Sequence, residues 1–325
     1  MAREIHIDIY RSGDELPVLG GSNFFHSREL FHIYASTPRH TPFMIVARGE
    51  GGAELGHLLA VVRTRLSWMP PYAYWHCRVL GEGDYAEGCD KVEVFGAMLE
   101  ALAERMQRNA LYIEMSHLSE KMFGYREFRQ CGFFPVKWMS IHNSLHSKRA
   151  EERMSAKTLH WIEAAEAKGV YTVDVRAEEQ LTAFLRLLRK HNKLKPKRFI
   201  PPDAFFRALM SSDNARMTIT KVRDKTIGCA ACVYSGGNAY LWYSAFRRKS
   251  YAILRPAYAT TFAAIKRAEK EGCRHIFFLD VGLPFRRNPY REFILRFGGK
   301  PVSTYRWFRF NIGWLNRLLS FFYRS

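Results

Sequence analysis

The chain reads Tyr125-Arg126-Glu127-Phe128 inside the stretch 110–136, ALYIEMSHLSEKMFGYREFRQCGFFPV. It reads Tyr290-Arg291-Glu292-Phe293 inside the stretch 275–302, HIFFLDVGLPFRRNPYREFILRFGGKPV. Four shared letters recur by chance in 325 residues, so the flanks decide whether this is a repeat. Each copy follows an apolar strand that ends in an acid, Glu114 or Asp280, and the tyrosine comes 11 and 10 residues later. Each is followed by glycine and a further strand. Before each strand the apolar spacing predicts a helix. In 90–110 the stripe is Val92, Phe95, Met98, Leu99, Leu102 and Met106, and in 257–272 the helix closes at Gly272. Ahead of the helices stand strands rich in Tyr and Trp, YAYWHCRVL and AYLWYSAF, and ahead of those a glycine-containing hairpin. Agreement in element order over this length means one supersecondary unit used twice. The reading is α/β (α+β), with two similar domains in tandem over 1–150 and 151–325.

Charge separates the two halves. Residues 1–150 carry 17 basic and 17 acidic residues, whereas 151–325 carry 33 basic and 14 acidic, so the net +19 resides in the second half. Such asymmetry points to a polyanionic partner: nucleic acid, a phosphorylated donor or an anionic membrane face. At 47% hydrophobic and 25% charged residues, both halves have the composition of folded cores. Cys229 and Cys232 have metal-ligand spacing, but there is no second pair and no neighbouring histidine. They lie in a strand, where alternate side chains face opposite ways, so no metal site is expected. MAREIHIDIYRSGDE has no apolar signal core and no run is long enough to span a bilayer, which predicts a reducing, cytoplasmic compartment. Gly-x-Ser-x-Gly, His-Glu-x-x-His and Gly-Lys-Ser/Thr phosphate loops are all absent from the sequence.

A module of antiparallel strands, a central helix, a strand and a last helix resembles the GNAT (N-acetyltransferase) fold, and two of them resemble the Fem-type aminoacyl and acyl transferases. The resemblance spans nearly the whole chain. It rests on YAILRPAYATTFAAIKRAEKEGCRHIFFLDVG and NPYREFILRFGGKPV in the second domain, and on FFHSRELFHIYAST and RVLGEGDY in the first. It implies two mixed, mostly antiparallel sheets flanked by helices, and transfer of an acyl or aminoacyl group from an anionic donor to an amine. The first domain would be the acceptor side and the second the donor side. Fem-type members that use aminoacyl-tRNA carry a lysine where this chain has Ile294, which favours acyl-CoA over aminoacyl-tRNA as donor; tRNA stays open as a partner. The pyrophosphate-loop pattern Arg78-Val79-Leu80-Gly81-Glu82-Gly83 is followed by Asp84, Glu87 and Asp90. That acidic run would repel phosphates and reads as a connecting turn. The corresponding place in the second domain is Arg247-Arg248-Lys249-Ser250-Tyr251-Ala252. Three cations and small residues there precede a helix start and suit an anion, although a solvated basic turn explains them equally well.

Acyl transfer to an amine needs a neutral amine, a donor for the developing oxyanion, and neutralised phosphates. Asp280 would deprotonate or orient the ammonium, or else pair with Arg286, Arg287 or Arg291. Tyr243 and Tyr258 are candidate proton donors, Arg291 or Arg296 a candidate for charge stabilisation, and Arg247, Arg248, Lys249, Ser250 and Arg255 the candidate donor-binding set. Glu114 reads as structural. In 313–325, Trp314, Leu315, Leu318, Leu319 and Phe322 form a helical stripe beside Arg317 and Arg324. That stripe suits either an anionic membrane interface, with a cell-envelope or lipid-linked acceptor, or docking onto the core. The competing reading of the whole chain is a non-catalytic protein that binds a polyanion or a membrane on degenerate modules.

Overall fold

The computed structural model describes residues 5–68, 71–118, 122–193, 199–279 and 281–323. In chain order the first half gives strand β1 (His6–Tyr10), helix α1 (Arg28–Ala35), β2 (His40–Arg48), β3 (Glu54–Trp68), β4 (Pro71–Leu80), the short β5 (Asp84–Tyr85), α2 (Lys91–Met106), β6 (Tyr112–Ser116), α3 (Tyr125–Gln130) and β7 (Phe134–Ser144). The second half gives α4 (Ala150–Arg153), α5 (Ala156–Ala167), β8 (Val170–Asp174), α6 (Glu178–Asn192), α7 (Asp203–Met210), β9 (Ala215–Val222), β10 (Lys225–Ser235), β11 (Asn238–Phe246), α8 (Pro256–Lys270), β12 (His275–Phe278), α9 (Pro289–Leu295), β13 (Lys300–Phe310) and α10 (Gly313–Phe322). Both Tyr-Arg-Glu-Phe words open short helices, α3 and α9.

Two compact units result. One comprises Met1–Trp138 with Thr304–Ser325, and the other Met139–Ser303. Within the first, the strands run β1-β2-β3-β4-β6-β13, antiparallel except for the parallel pair β4–β6. Within the second they run β8-β9-β10-β11-β12-β7, antiparallel except for the parallel pair β11–β12. The repeat therefore extends to sheet order and strand direction. The linear division at 150/151 needs correction, because each sheet ends on a strand from the other half of the chain. Arg306–Phe310 of β13 pairs with Tyr112–Ser116 of β6, and Ile141–Ser144 of β7 pairs with His275–Phe278 of β12. The segment 313–325 accordingly belongs to the first unit.

Local sequence explains the elements. Ser27 and Asp90 cap α1 and α2 by accepting backbone N–H bonds, at Leu30 and at Val92 and Glu93. The apolar stripe of α2, from Phe95 to Met106, is buried against Phe43, Ile45, Val79 and Ile113. The hairpin β10–β11 turns on Gly236 and Gly237, with φ of 55° and 75°, the left-handed region that a two-residue turn needs. Gly228 is required for another reason: a Cβ there would lie 2.0 Å from Thr260 Oγ1 of α8. The core of the second unit gathers Ile141, Leu241, Phe278, Phe293, Ile294 and Phe297 under α8. Among the described residues no helix is long and apolar enough to cross a membrane.

Candidate functional site

In the second unit, α8 starts directly after the basic turn. Its N-cap, Arg255, is one of three non-glycine residues with positive φ among the described residues, at 42°, and it makes no side-chain capping bond there. A non-glycine residue in that conformation is strained, and the strain is held by what surrounds it. Here the guanidinium lies 3.9 Å from the centroid of the Trp161 ring, and Trp161 packs edge-on against Tyr258 at 5.1 Å. Pro256 follows at the first helical position, where its missing N–H costs nothing. The first turn of α8 contains no acid. Its N-terminal backbone therefore presents the positive end of a fifteen-residue helix.

A cavity of about 330 Å³ opens at this point, lined by Arg248, Ala252, Arg255, Pro256, Ala257, Tyr258, Pro289, Glu292, Phe293 and Arg296. Arg248 stacks over Phe246 and Phe293, with its guanidinium 5.5 and 5.3 Å from the ring centroids. Arg296 Nη1–H donates to the Tyr258 hydroxyl oxygen at 2.6 Å. That bond occupies an oxygen lone pair and leaves the Tyr258 O–H proton for another acceptor. The sheet beside the cavity has two further features. Ala231 pairs with Tyr243 while Cys232 pairs with Leu241, so Trp242 is an extra, bulged residue. Among the described residues, the parallel ladder of β11 with β12 covers Ala239–Leu241.

The structure brings together Arg248, Arg255 and Tyr258 from the expected set with Arg296, the alternative to Arg291 for charge stabilisation, and adds Glu292 and Phe293. Lys249 and Ser250 are exposed on the turn and do not line the cavity. The Arg247 backbone N–H donates to the Ile227 carbonyl, while its Nε is buried with no hydrogen-bond partner among the described residues. Tyr243 is buried in an aromatic cluster, 5.1 Å from Phe206 and 5.4 Å from Trp242, away from the lining residues. Arg291 donates to the carbonyls of Leu283 and Arg286 at 2.7 and 2.8 Å, which pins the loop before α9. Asp280 lies outside the described residues. Ile294 is fully buried in the core, and Arg296, two positions on, lines the cavity. The phrase Phe-Ile-Leu-Arg-Phe-Gly contained that arginine, but which of its residues faces outward depends on the roll of α9.

The matching places in the first unit are taken up by internal bonding. Arg78 pairs with Glu114 and donates to Ser116 at 2.9 Å, and Arg306 meets the same carboxylate at 2.9 Å. The Glu82 carboxylate accepts from His117 and from the Leu118 N–H, and Trp307 Nε1–H donates to His117 Nε2 at 2.8 Å. The carboxylates of Glu114 and Glu82 are thus engaged in internal ion pairs and hydrogen bonds. Cys229 and Cys232 are both buried on β10, where burial pushes their thiols up, that of Cys232 to about 12.

Residues 160–292 match the family model described as an acetyltransferase (GNAT) domain. They form a GNAT domain. The domain contains the α8 cavity up to Glu292, and the chain carries two GNAT-like modules in tandem; the general chemistry of such a domain is acyl transfer. Among solved structures, FemX superposes with a TM-score of 0.66 at 11% identity, over 92% of this chain and 95% of that one. The C-terminal domain of a putative lysylphosphatidylglycerol synthetase from Agrobacterium fabrum gives 0.59 at 11%, over 92% and 90%. A tandem GNAT protein from the clavulanic acid biosynthesis pathway gives 0.57 at 9%, over 95% and 99%. At these identities the likeness is one of fold. No curated protein matches the chain.

Proposed function

We propose that the GNAT domain of the second unit binds an acyl-CoA-type thioester and passes its acyl group to a primary amine, on a cell-envelope or lipid-linked precursor. The observation that carries this reading is the cavity at the uncapped start of α8, where Arg248, Arg255 and Arg296 surround Tyr258. Guanidiniums and helix N–H groups neutralise a pyrophosphate, and the volume suits part of a cofactor-sized ligand. In this reading the backbone of β11 past Leu241 pairs with the amide-bearing arm of such a donor. The acceptor ammonium first loses a proton, a role we assign to Asp280 from its place in the sequence. The neutral amine attacks the thioester carbonyl and forms the C–N bond. As the C–S bond breaks, the departing thiolate takes the Tyr258 O–H proton while Arg296 holds the phenol oxygen, and the phenolate is reprotonated by the extra proton that the attacking nitrogen sheds as the tetrahedral adduct collapses to the amide. Ile294 in the core supports a CoA-type donor over aminoacyl-tRNA, because the charge carried there in tRNA-dependent Fem-type enzymes has no counterpart at that position.

The test is thermal stability with acetyl-CoA, a long-chain acyl-CoA and aminoacyl-tRNA, in wild type and in Arg248→Ala/Arg255→Ala. A ligand specific to the folded state raises the melting temperature with its concentration. The expected result is a rise with a CoA ester that the double variant loses. A rise with tRNA alone, or with none of the three, overturns the donor assignment. Tyr258→Phe is expected to keep the melting shift and to slow the acyl-transfer step.

A further inference from the structure

Helix α10 is oriented the wrong way for a docked helix in water. Its residues at helical spacing Trp314, Leu318, Phe321 and Phe322 are 68%, 48%, 64% and 69% exposed. No residue of the helix is buried. The side that faces the first unit is held instead by a polar residue. Asn316 Oδ1 accepts from the Phe310 N–H at 2.9 Å and its Nδ2–H donates to the Gly132 carbonyl at 2.9 Å. Tyr323, next to the helix, stacks on Phe134 with ring centroids 5.7 Å apart. Asn316 thus fixes the roll of α10, and that roll turns the apolar stripe outward. Scattered exposed hydrophobics need no explanation, but a contiguous aromatic stripe on one helix marks a contact surface.

We infer that α10 is a peripheral anchor that lies in the headgroup region of an anionic lipid bilayer. Charge selects this occupant. Arg317 sits within the stripe, α10 has no acid, and the chain after residue 280 carries nine Lys/Arg against Glu292 alone. A tryptophan and two phenylalanines beside an arginine are the composition that partitions into an anionic interface. A second copy of this chain fits less well. Four side chains offer roughly 500 Å², below the roughly 800 Å² per partner of a stable interface, and two copies of net charge +19 repel. The inference is independent of the acyl-transfer reading, since no residue of α10 lines the α8 cavity.

The experiment is co-sedimentation of the full chain with vesicles of phosphatidylcholine, and of phosphatidylcholine with one quarter phosphatidylglycerol, alongside sedimentation velocity without lipid. Wild type is expected to pellet with the anionic vesicles only. Trp314→Ser/Phe321→Ser/Phe322→Ser, which keeps Asn316 and changes only exposed positions, is expected to lose at least about tenfold in partitioning at an unchanged melting temperature. Arg317→Glu is expected to weaken binding in the same direction. Failure of wild type to pellet, or equal pelleting of the triple serine variant, overturns the inference. Self-association that the triple variant abolishes, without vesicle binding, assigns the stripe to a second copy and also overturns it.

Discussion

Lowering the pH from 7 to 5 should destabilise the first unit, and His26 sets the minimum size of the effect. The ring is fully buried, and the backbone N–H groups of Leu59 and Gly83 point at its two nitrogens, each at 3.0 Å. An imidazolium would set N–H against N–H at both positions. Burial, reinforced by His57, brings the pKa down from 6.5 to about 3. A base whose folded value is depressed contributes stability above its unfolded value, and loses it as the pH falls from 6.5 toward 3. Between pH 7 and 5 the unfolded chain takes up nearly one proton at this site that the folded chain refuses. At about 1.4 kcal/mol per unit this amounts to about 2 kcal/mol. His76 and His40 are shifted in the same direction, His76 by burial and then by Arg63, Arg78, Arg65 and Arg306, and His40 by burial opposed by its bond to Pro38. They add to the loss. The lowered carboxylates Asp8 and Glu54 act later, because their unfolded values are 3.8 and 4.5. Urea unfolding at pH 7, 6 and 5 measures the effect. A loss below about 1 kcal/mol, or a gain, would mean that these rings are protonated in the folded chain, and would refute the argument.

Three substitutions test the packing. Gly228→Ala places a methyl against the Thr260 hydroxyl, which donates to Thr220 at 2.7 Å, and should cost about 2–3 kcal/mol in urea unfolding. A neutral result would mean that α8 shifts freely on β10. Ile294→Lys should lower the melting temperature without giving tRNA-dependent activity, because the position is fully buried beside Phe293 and Phe297; retained stability with gained activity would place it at the site. Glu114→Ala leaves Arg78 and Arg306 without their shared carboxylate, and should destabilise by about 3–5 kcal/mol in chemical unfolding. A loss under about 1 kcal/mol would show that water replaces the carboxylate.

The order of elements was legible in the sequence because the signals are local. Apolar periodicity and the glycine that closes a helix act within a few residues, so the tandem repeat and the basic turn before α8 could be read directly, whereas the capping role of Asp90 emerged only from the structure. Arg248, Arg255 and Tyr258 reach one cavity because the turn and the helix start are contiguous in the chain. Which strand completes which sheet was not legible. β7 and β13 have similar strand character, and backbone pairing carries little sequence preference, so the exchange was decided by long-range assembly. The facing of Tyr243 depends on the bulged Trp242 in the strand register, and the burial of Ile294 on the roll of α9 under α8. The outward stripe of α10 followed from Asn316, whose partners Phe310 and Gly132 lie on different segments. Local chemistry fixed the pieces of the site, and non-local packing decided which side chains it contains.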